Sequence, residues 1–227
     1  AGVKPSRDEL LVDIDRESLE DRLKKYFDAK VSDSDLRRAF PALMNASARY
    51  NPAEIRKELI GRKHASGEVV RYAYRPFDIR WVYWDPDTKL IDEKRPEFFG
   101  NTGFQNRFLT AGERNRMGIF YKPQSISVLG DHHLVESNVA IFPATVRQDS
   151  QNLEPNIAKS LKQELANRGV SSDQLFDHIL ATLNAPRYEQ DYIDALRIDW
   201  PRIPFPRDIA VFKNSADLGS RLSDLLD

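Results

Sequence analysis

The sequence predicts an α+β fold with a helical N-terminal segment, a β-rich middle and a helical C-terminal segment. Two observations lead there. Apolar residues recur at helical spacing up to about Gly61, alternate at period two between Val69 and Phe142, and return to helical spacing beyond Pro155. Helix-start signals fall in the outer segments, whereas the turn sequences Asp85-Pro86-Asp87 and Gly130-Asp131 fall in the middle. The change of period at the polar stretch Gly61 to Gly67 is the best internal boundary. It divides the chain into residues 1–66, a helical spacer or subdomain, and residues 67–227, β-rich over 67–150 and helical over 151–227.

Asp13 or Asp15 can cap a first helix whose Leu19, Leu23, Tyr26 and Phe27 fall on one face. Ser32-Asp33-Ser34-Asp35 offers the cap of a second, short helix that stops near Phe40-Pro41, where proline lacks the N–H a helix needs. Asn51-Pro52-Ala53-Glu54 is the strongest start signal, with Ile55 and Leu59 after it and a stop at Gly61, so the first 60 residues read as helical. Short strands are expected over Val69 to Tyr74, Ile79 to Trp84, Met117 to Tyr121, Ser125 to Leu129 and Val139 to Phe142. Pro96 to Gly112, punctuated by Gly100 and Gly103, reads as a long surface loop.

Beyond Pro155, Ile157, Leu161 and Leu165 lead to a stop at Gly169. Ser171 and Gln174 then form a capping box ahead of Leu175, Phe176, Ile179, Leu180 and Leu183. Pro186 opens a further helix carrying Tyr188, Tyr192, Ile193 and Leu196. The proline-rich run from Trp200 to Pro206 cannot be regular and is expected to strap across the surface. Leu218, Leu222 and Leu225 mark a last helix that suits a partner outside the chain.

Arg71 to Asp85 is the densest concentration of aromatic and cationic residues. Two of the three residues Trp81, Tyr83 and Trp84 at least are expected in the core, together with Phe77. Arg75-Pro76 bends the ribbon, since proline cannot donate to a ladder. Arg75 has Asp78 as its obvious internal partner, with other carboxylates or backbone carbonyls as the alternative.

Composition narrows the function. With 34 basic against 35 acidic residues the net charge is −1, which argues against a non-specific polyanion binder and leaves a clustered basic face open. The absence of cysteine removes disulfides and thiolate metal sites and fits a reducing cytoplasm. No apolar run approaches the roughly 18 residues of a membrane span.

Several strings suggest chemistry only weakly. Asp87, Asp92 and Lys94 have the residue types of a magnesium-dependent nuclease, but such sites need carboxylates on adjacent strands aimed at one ion, and this stretch reads as a turn. Adjacent His132 and His133 after Asp131 point to opposite faces of an extended chain and read as a surface turn rather than a metal site. His64 and His178 are lone, the latter on a helix flank. No glycine-rich phosphate loop and no Gly-x-Ser-x-Gly elbow occurs.

Tyr74-Arg75-Pro76-Phe77-Asp78-Ile79-Arg80 followed by Tyr83-Trp84 resembles a motif in the C-terminal specificity region of type ISP restriction-modification enzymes and related adenine-specific DNA methyltransferases. Gly2-Val3-Lys4-Pro5-Ser6-Arg7-Asp8 is similar to the segment that follows their methyltransferase domain, and Ile198-Asp199-Trp200-Pro201-Arg202-Ile203-Pro204 to a near-terminal motif. Pro5-Ser6, Trp84 and Trp200 depart from the commoner residues, and Phe98 to Val139 matches least. The resemblance implies a target-recognition domain that binds double-stranded DNA, with no cofactor in this chain and S-adenosylmethionine used by an upstream methyltransferase domain of the same polypeptide. Ala1-Gly2 opening onto the first motif then reads as the start of a segment of a longer chain. A docking domain without base readout is the alternative.

For DNA contacts the sequence offers Arg80, Arg107, Arg114, Asn115, Arg116, Lys122, Gln124 and Ser125. Basic residues outnumber acidic ones between Arg71 and Lys122, and these side chains are the types that reach phosphates and base edges.

Overall fold

The computed structural model describes residues 1–61, 68–102, 106–113, 119–135, 139–147, 149 and 152–227. The chain forms two compact units, one of residues 3–74 and 78–96, the other of residues 1–2, 75–77 and 97–227. Helices flank a strand-bearing middle, as expected of the α+β class. The first unit takes in both arms of the β-hairpin as well as the N-terminal helices.

In the first unit a short helix α1 (Asp8–Leu11) leads into β1 (Val12–Asp13), α2 (Arg16–Phe27), α3 (Asp33–Ala39), α4 (Pro52–Gly61), β2 (Glu68–Arg75) and β3 (Asp78–Trp84). Asp15 caps α2, accepting from the Ser18 amide at 2.8 Å, and Leu19, Leu23 and Tyr26 are the buried face that this start sets in place. Ser32 caps α3 from the Asp35 amide at 3.1 Å, and Asn51 reaches the Glu54 amide at 3.4 Å ahead of α4. The N-terminal region is not wholly helical. β1 adds to the edge of the hairpin, antiparallel to β3 with Val12 opposite Val82 and Asp13 opposite Trp81. Two residues are too few for a period-two signal.

Two buried arginines hold this unit together. Arg56 on α4 donates from Nε to Tyr26 O at 2.9 Å and from Nη2 to Asp28 O and Val31 O at 2.7 and 2.8 Å, and pairs with Asp33 at 2.6 Å. It thereby satisfies carbonyls that the end of α2 leaves open. Arg7 donates to Leu90 O at 3.2 Å, lies 3.5 Å from Asp92 and stacks on the Tyr50 ring at 3.7 Å.

In the second unit α5 (Pro96–Phe99) is followed by β4 (Phe108–Ala111), β5 (Ser125–Ile126), β6 (Leu129–Gly130), β7 (Ala140–Pro143), β8 (Thr145–Arg147), β9 (Leu153–Pro155) and helices α6 (Lys159–Asn167), α7 (Ser172–Asn184), α8 (Pro186–Leu196) and α9 (Ile209–Leu226). β4 is the centre of a three-stranded antiparallel sheet between β5 and β7, with Leu109 opposite Ser125 on one side and Phe142 on the other. The expected surface loop from Pro96 to Gly112 thus contains a helix and a strand whose four residues are all buried. Phe-Leu-Thr-Ala is covered on both faces and shows no alternation, so the glycines around it dominate the sequence signal. The strand expected over Met117 to Tyr121 does not form in its described residues 119–121, and that over Ser125 to Leu129 divides into β5 and the start of β6.

The capping box of α7 is present in both directions, Ser171 Oγ accepting from the Gln174 amide at 3.1 Å and Gln174 from the Ser171 amide at 3.0 Å. Phe176 and Leu180 of α7 pack on Leu109 of β4, with Leu222 and Leu226 of α9 alongside. Where α9 crosses α7, Gly219 meets the backbone of Asp177: a Cβ there would sit 1.8 Å from the Asp177 carbonyl oxygen. The Trp200 to Pro206 run is irregular, as expected, and is tied down by carbonyls that accept from Tyr188, His178 and Arg168. His178 is no flank residue: it is 2 % exposed and bonds Ser215 Oγ and Pro204 O, both at 2.9 Å.

Gly219→Ala should therefore lower stability by about 2–3 kcal/mol, even after the gain of about 1 kcal/mol in helix propensity, because backbone rather than a flexible side chain must yield. Urea denaturation checks this. An unchanged midpoint would show that the α7/α9 crossing is not tight at Gly219.

Candidate nucleic-acid interface

The hairpin β2/β3 sets most of its aromatic residues by packing. Tyr83 and Trp84 are each 5 % exposed, and Trp84 donates its indole N–H to Lys94 O at 2.7 Å. Trp81 is half-buried, with the guanidinium carbons of Arg16 and Arg71 at 5.0 and 5.1 Å from its ring centroid. Phe77 reverses expectation, standing 73 % exposed at a positive φ of 61°. It follows Pro76 in a two-residue turn, so alternation along the strands does not govern it.

Arg75 reaches Asp131 at 2.9 Å, a carboxylate only 4 % exposed that also accepts from the His133 amide at 2.7 Å. Asp78 takes a bidentate grip from Arg80, Nε at 2.9 Å and Nη2 at 2.7 Å, and Arg80 also stacks on the Tyr74 ring at 4.1 Å. This pairing raises the Arg80 pKa further, through the Asp78 hydrogen bond above all. Asp131-His132-His133 is a turn but not a surface one, since Asp131 and His132 are buried. Gly2 lies against it, where a Cβ would meet the Asp131 carbonyl oxygen at 2.4 Å.

The other expected DNA contacts are engaged within the protein wherever they are described. Arg107 pairs with Asp177 at 2.5 Å and Asp173 at 3.5 Å and stacks on Phe176 at 4.4 Å. Lys122 donates to Asn184 O at 3.3 Å, with Glu189 at 4.0 Å. Gln124 is buried and exchanges bonds with Thr110 through its backbone, and the Ser125 hydroxyl, 1 % exposed, meets Ser223 Oγ at 2.7 Å. Arg114, Asn115 and Arg116 lie outside the described residues, as does His64. The partners Asp173, Asp177, Asn184, Glu189 and Ser223 all come from the C-terminal helices, far along the chain, and carry no local sequence signal.

The nuclease-like string is built into its own loop. Asp87 donates its amide to Asp85, Asp92 accepts from Ser6 Oγ at 3.1 Å and faces Arg7, and Lys94 donates to Pro86 O at 2.7 Å. Among the described residues no group of three His, Asp or Glu side chains could hold a metal ion, and no helix is long and apolar enough to cross a membrane. The second unit also carries an apolar cavity of about 270 Å³ beneath the Phe142–Trp200 edge-on pair, whose rings are 5.7 Å apart.

This fold is shared with proteins whose structures were solved in complex with DNA. The chain superposes on the cryoEM structure of a DrdV–DNA complex (TM-score 0.70, 22 % identity) and on the ATP-dependent Type ISP restriction-modification enzyme LlaBIII bound to DNA (0.72, 17 %). It also superposes on a nuclease-deletion mutant of the Type ISP enzyme LlaGI in complex with a DNA substrate mimic (0.62, 17 %). Each match covers 99 % of this chain but only 22 %, 15 % and 21 % of those chains, and at these identities the likeness is one of fold. The chain belongs to the family of Type ISP C-terminal specificity domains, whose family model matches residues 1–226. No curated protein matches it.

Two consequences are measurable. Arg75→Ala leaves the buried Asp131 carboxylate short of a charged partner and should cost about 1–3 kcal/mol, read from the denaturation midpoint; no change would mean the pair is dispensable. Burial raises the Asp177 pKa above 3.8, only partly offset by the Arg107 hydrogen bond and charge. A carboxyl raised in the folded state binds its proton more tightly there, so its contribution to stability is greatest below its unfolded value and declines as pH rises through the folded one. The stability of Asp177→Asn relative to the parent chain should accordingly improve as the pH is raised from about 4 to about 7. A relative loss over that window would show that Arg107 outweighs burial.

Proposed function

We propose that this chain reads a target sequence in duplex DNA and holds the duplex for an adenine-specific methyltransferase carried elsewhere in the same polypeptide. S-adenosylmethionine would be bound and used there, and the target adenine flipped into that domain's pocket. The observation that carries the reading is membership of the specificity-domain family over residues 1–226. The DNA complexes formed by proteins of the same fold support it. A cytoplasmic setting is consistent with a cysteine-free chain.

Within this reading the candidate contacts divide by role. Arg114, Asn115 and Arg116 supply the chemistry for guanine, adenine and phosphate, between β4 and β5 of the sheet. Arg107, Lys122, Gln124 and Ser125 flank that segment in sequence: Arg107, Lys122 and Ser125 are fastened to α7, α8 and α9 and Gln124 to Thr110 of β4, and Arg107 and Lys122 retain N–H groups beyond those already used. A docking role without base readout is favoured by this internal engagement and is separated by the same experiment.

Binding should be measured by fluorescence anisotropy against a randomised duplex pool, and then against the enriched site at several salt concentrations. A base-reading residue among Arg114, Asn115 and Arg116 should, on change to alanine, cost about 1–3 kcal/mol on the enriched site only, whereas loss of a phosphate contact weakens all duplexes and lowers the salt slope by about 1. A chain that enriches no sequence while still supporting methylation by the full polypeptide would establish the docking role.

A further inference from the structure

The β2/β3 turn carries an anomaly that folding does not explain. Its second central residue has φ 61°, a conformation suited to glycine or asparagine, yet it is Phe77, and the ring is 73 % exposed. Backbone strain and solvent-exposed phenyl surface both work against the fold here. The turn that bears the ring is nonetheless firmly built. Pro76 fixes φ before it, Arg75 is anchored on the buried Asp131, and Asp78 is gripped by Arg80.

We propose that Phe77 is a wedge, an aromatic side chain that enters between two base pairs when the domain engages its duplex. This rests on the DNA-recognition reading above and adds a contact that it does not contain. The geometry favours DNA over a protein partner. A stable protein interface needs on the order of 800 Å² from each side and an apolar centre, whereas none of the other large exposed apolar side chains lies in the hairpin. A base step, by contrast, needs one side chain. Apolar wedges partly unstack one step and kink the duplex. A rigid turn loses little freedom on insertion, so the strain held at Phe77 is a cost of presenting the ring outward.

The test uses the whole chain with duplexes carrying 2-aminopurine at successive positions of the enriched site, since this base brightens when unstacked. The parent chain should raise the signal at one step. Phe77→Asn should abolish that rise and weaken binding about tenfold, within the range for one stacking contact, while its unfolding temperature is no lower than the parent's because asparagine tolerates the positive φ. Phe77→Tyr, which keeps the ring, should restore the fluorescence signal. If the parent binds but no step brightens, or Phe77→Asn leaves signal and affinity intact, the wedge is overturned and DNA recognition stands. If Phe77→Asn instead changes the sedimentation of the DNA-free chain, Phe77 is a protein contact and the wedge falls. If the parent chain binds no duplex at all, the recognition reading falls with it.

Discussion

The second unit depends on what happens at Asp177. Its carbonyl oxygen is where α9 crosses α7, a contact close enough to require Gly219 opposite. Its carboxylate, on the same helix turn, holds Arg107 at the entrance to the central strand β4. One residue therefore sets the helix crossing and ties the helical layer to the sheet. Its neighbour Phe176 completes the arrangement, carrying the Arg107 guanidinium on its ring while packing on Leu109. Burying a carboxylate in this way is costly unless a cation meets it, and Arg107 meets it with a planar fork and a stack at once.

The first unit solves a similar problem with arginine facing carbonyls. Arg56 gathers the open end of α2 and the start of α3, and Arg7 closes the loop that carries Leu90 and Asp92. Both guanidinium groups are buried, and both would be expensive to bury unpaired. This explains how a chain with nearly a third of its residues charged, 30 % of the total, and almost no net charge folds around its arginines. The charges that look available for DNA in the sequence are partly structural.

Much of the fold was legible. The caps at Asp15, Ser32, Asn51 and Ser171, the stop at Gly169, and the strands of the hairpin all follow from local chemistry: a side-chain oxygen at a helix start, a missing Cβ at its end, alternation on a two-faced ribbon. The three motifs that resemble specificity domains were equally legible and led to the family. The sequence by itself thus determined the α+β class, most helix boundaries and the family, because each is encoded within a few residues of itself.

Tertiary structure alone decided the rest. It made Phe-Leu-Thr-Ala a central strand, since only burial on both sides distinguishes that run from a loop. It brought Arg75 to Asp131, fifty-six residues along the chain, a partner that no local sequence signal announces. It exposed Phe77, which the turn takes out of the alternation of either strand. It also spent Arg107, Lys122 and Ser125 on α7, α8 and α9, partners that enter the sequence some sixty to a hundred residues later. A residue type announces what chemistry a side chain can perform; whether that chemistry is turned toward a ligand or consumed inside the fold depends on which distant atoms come within about 3 Å of it.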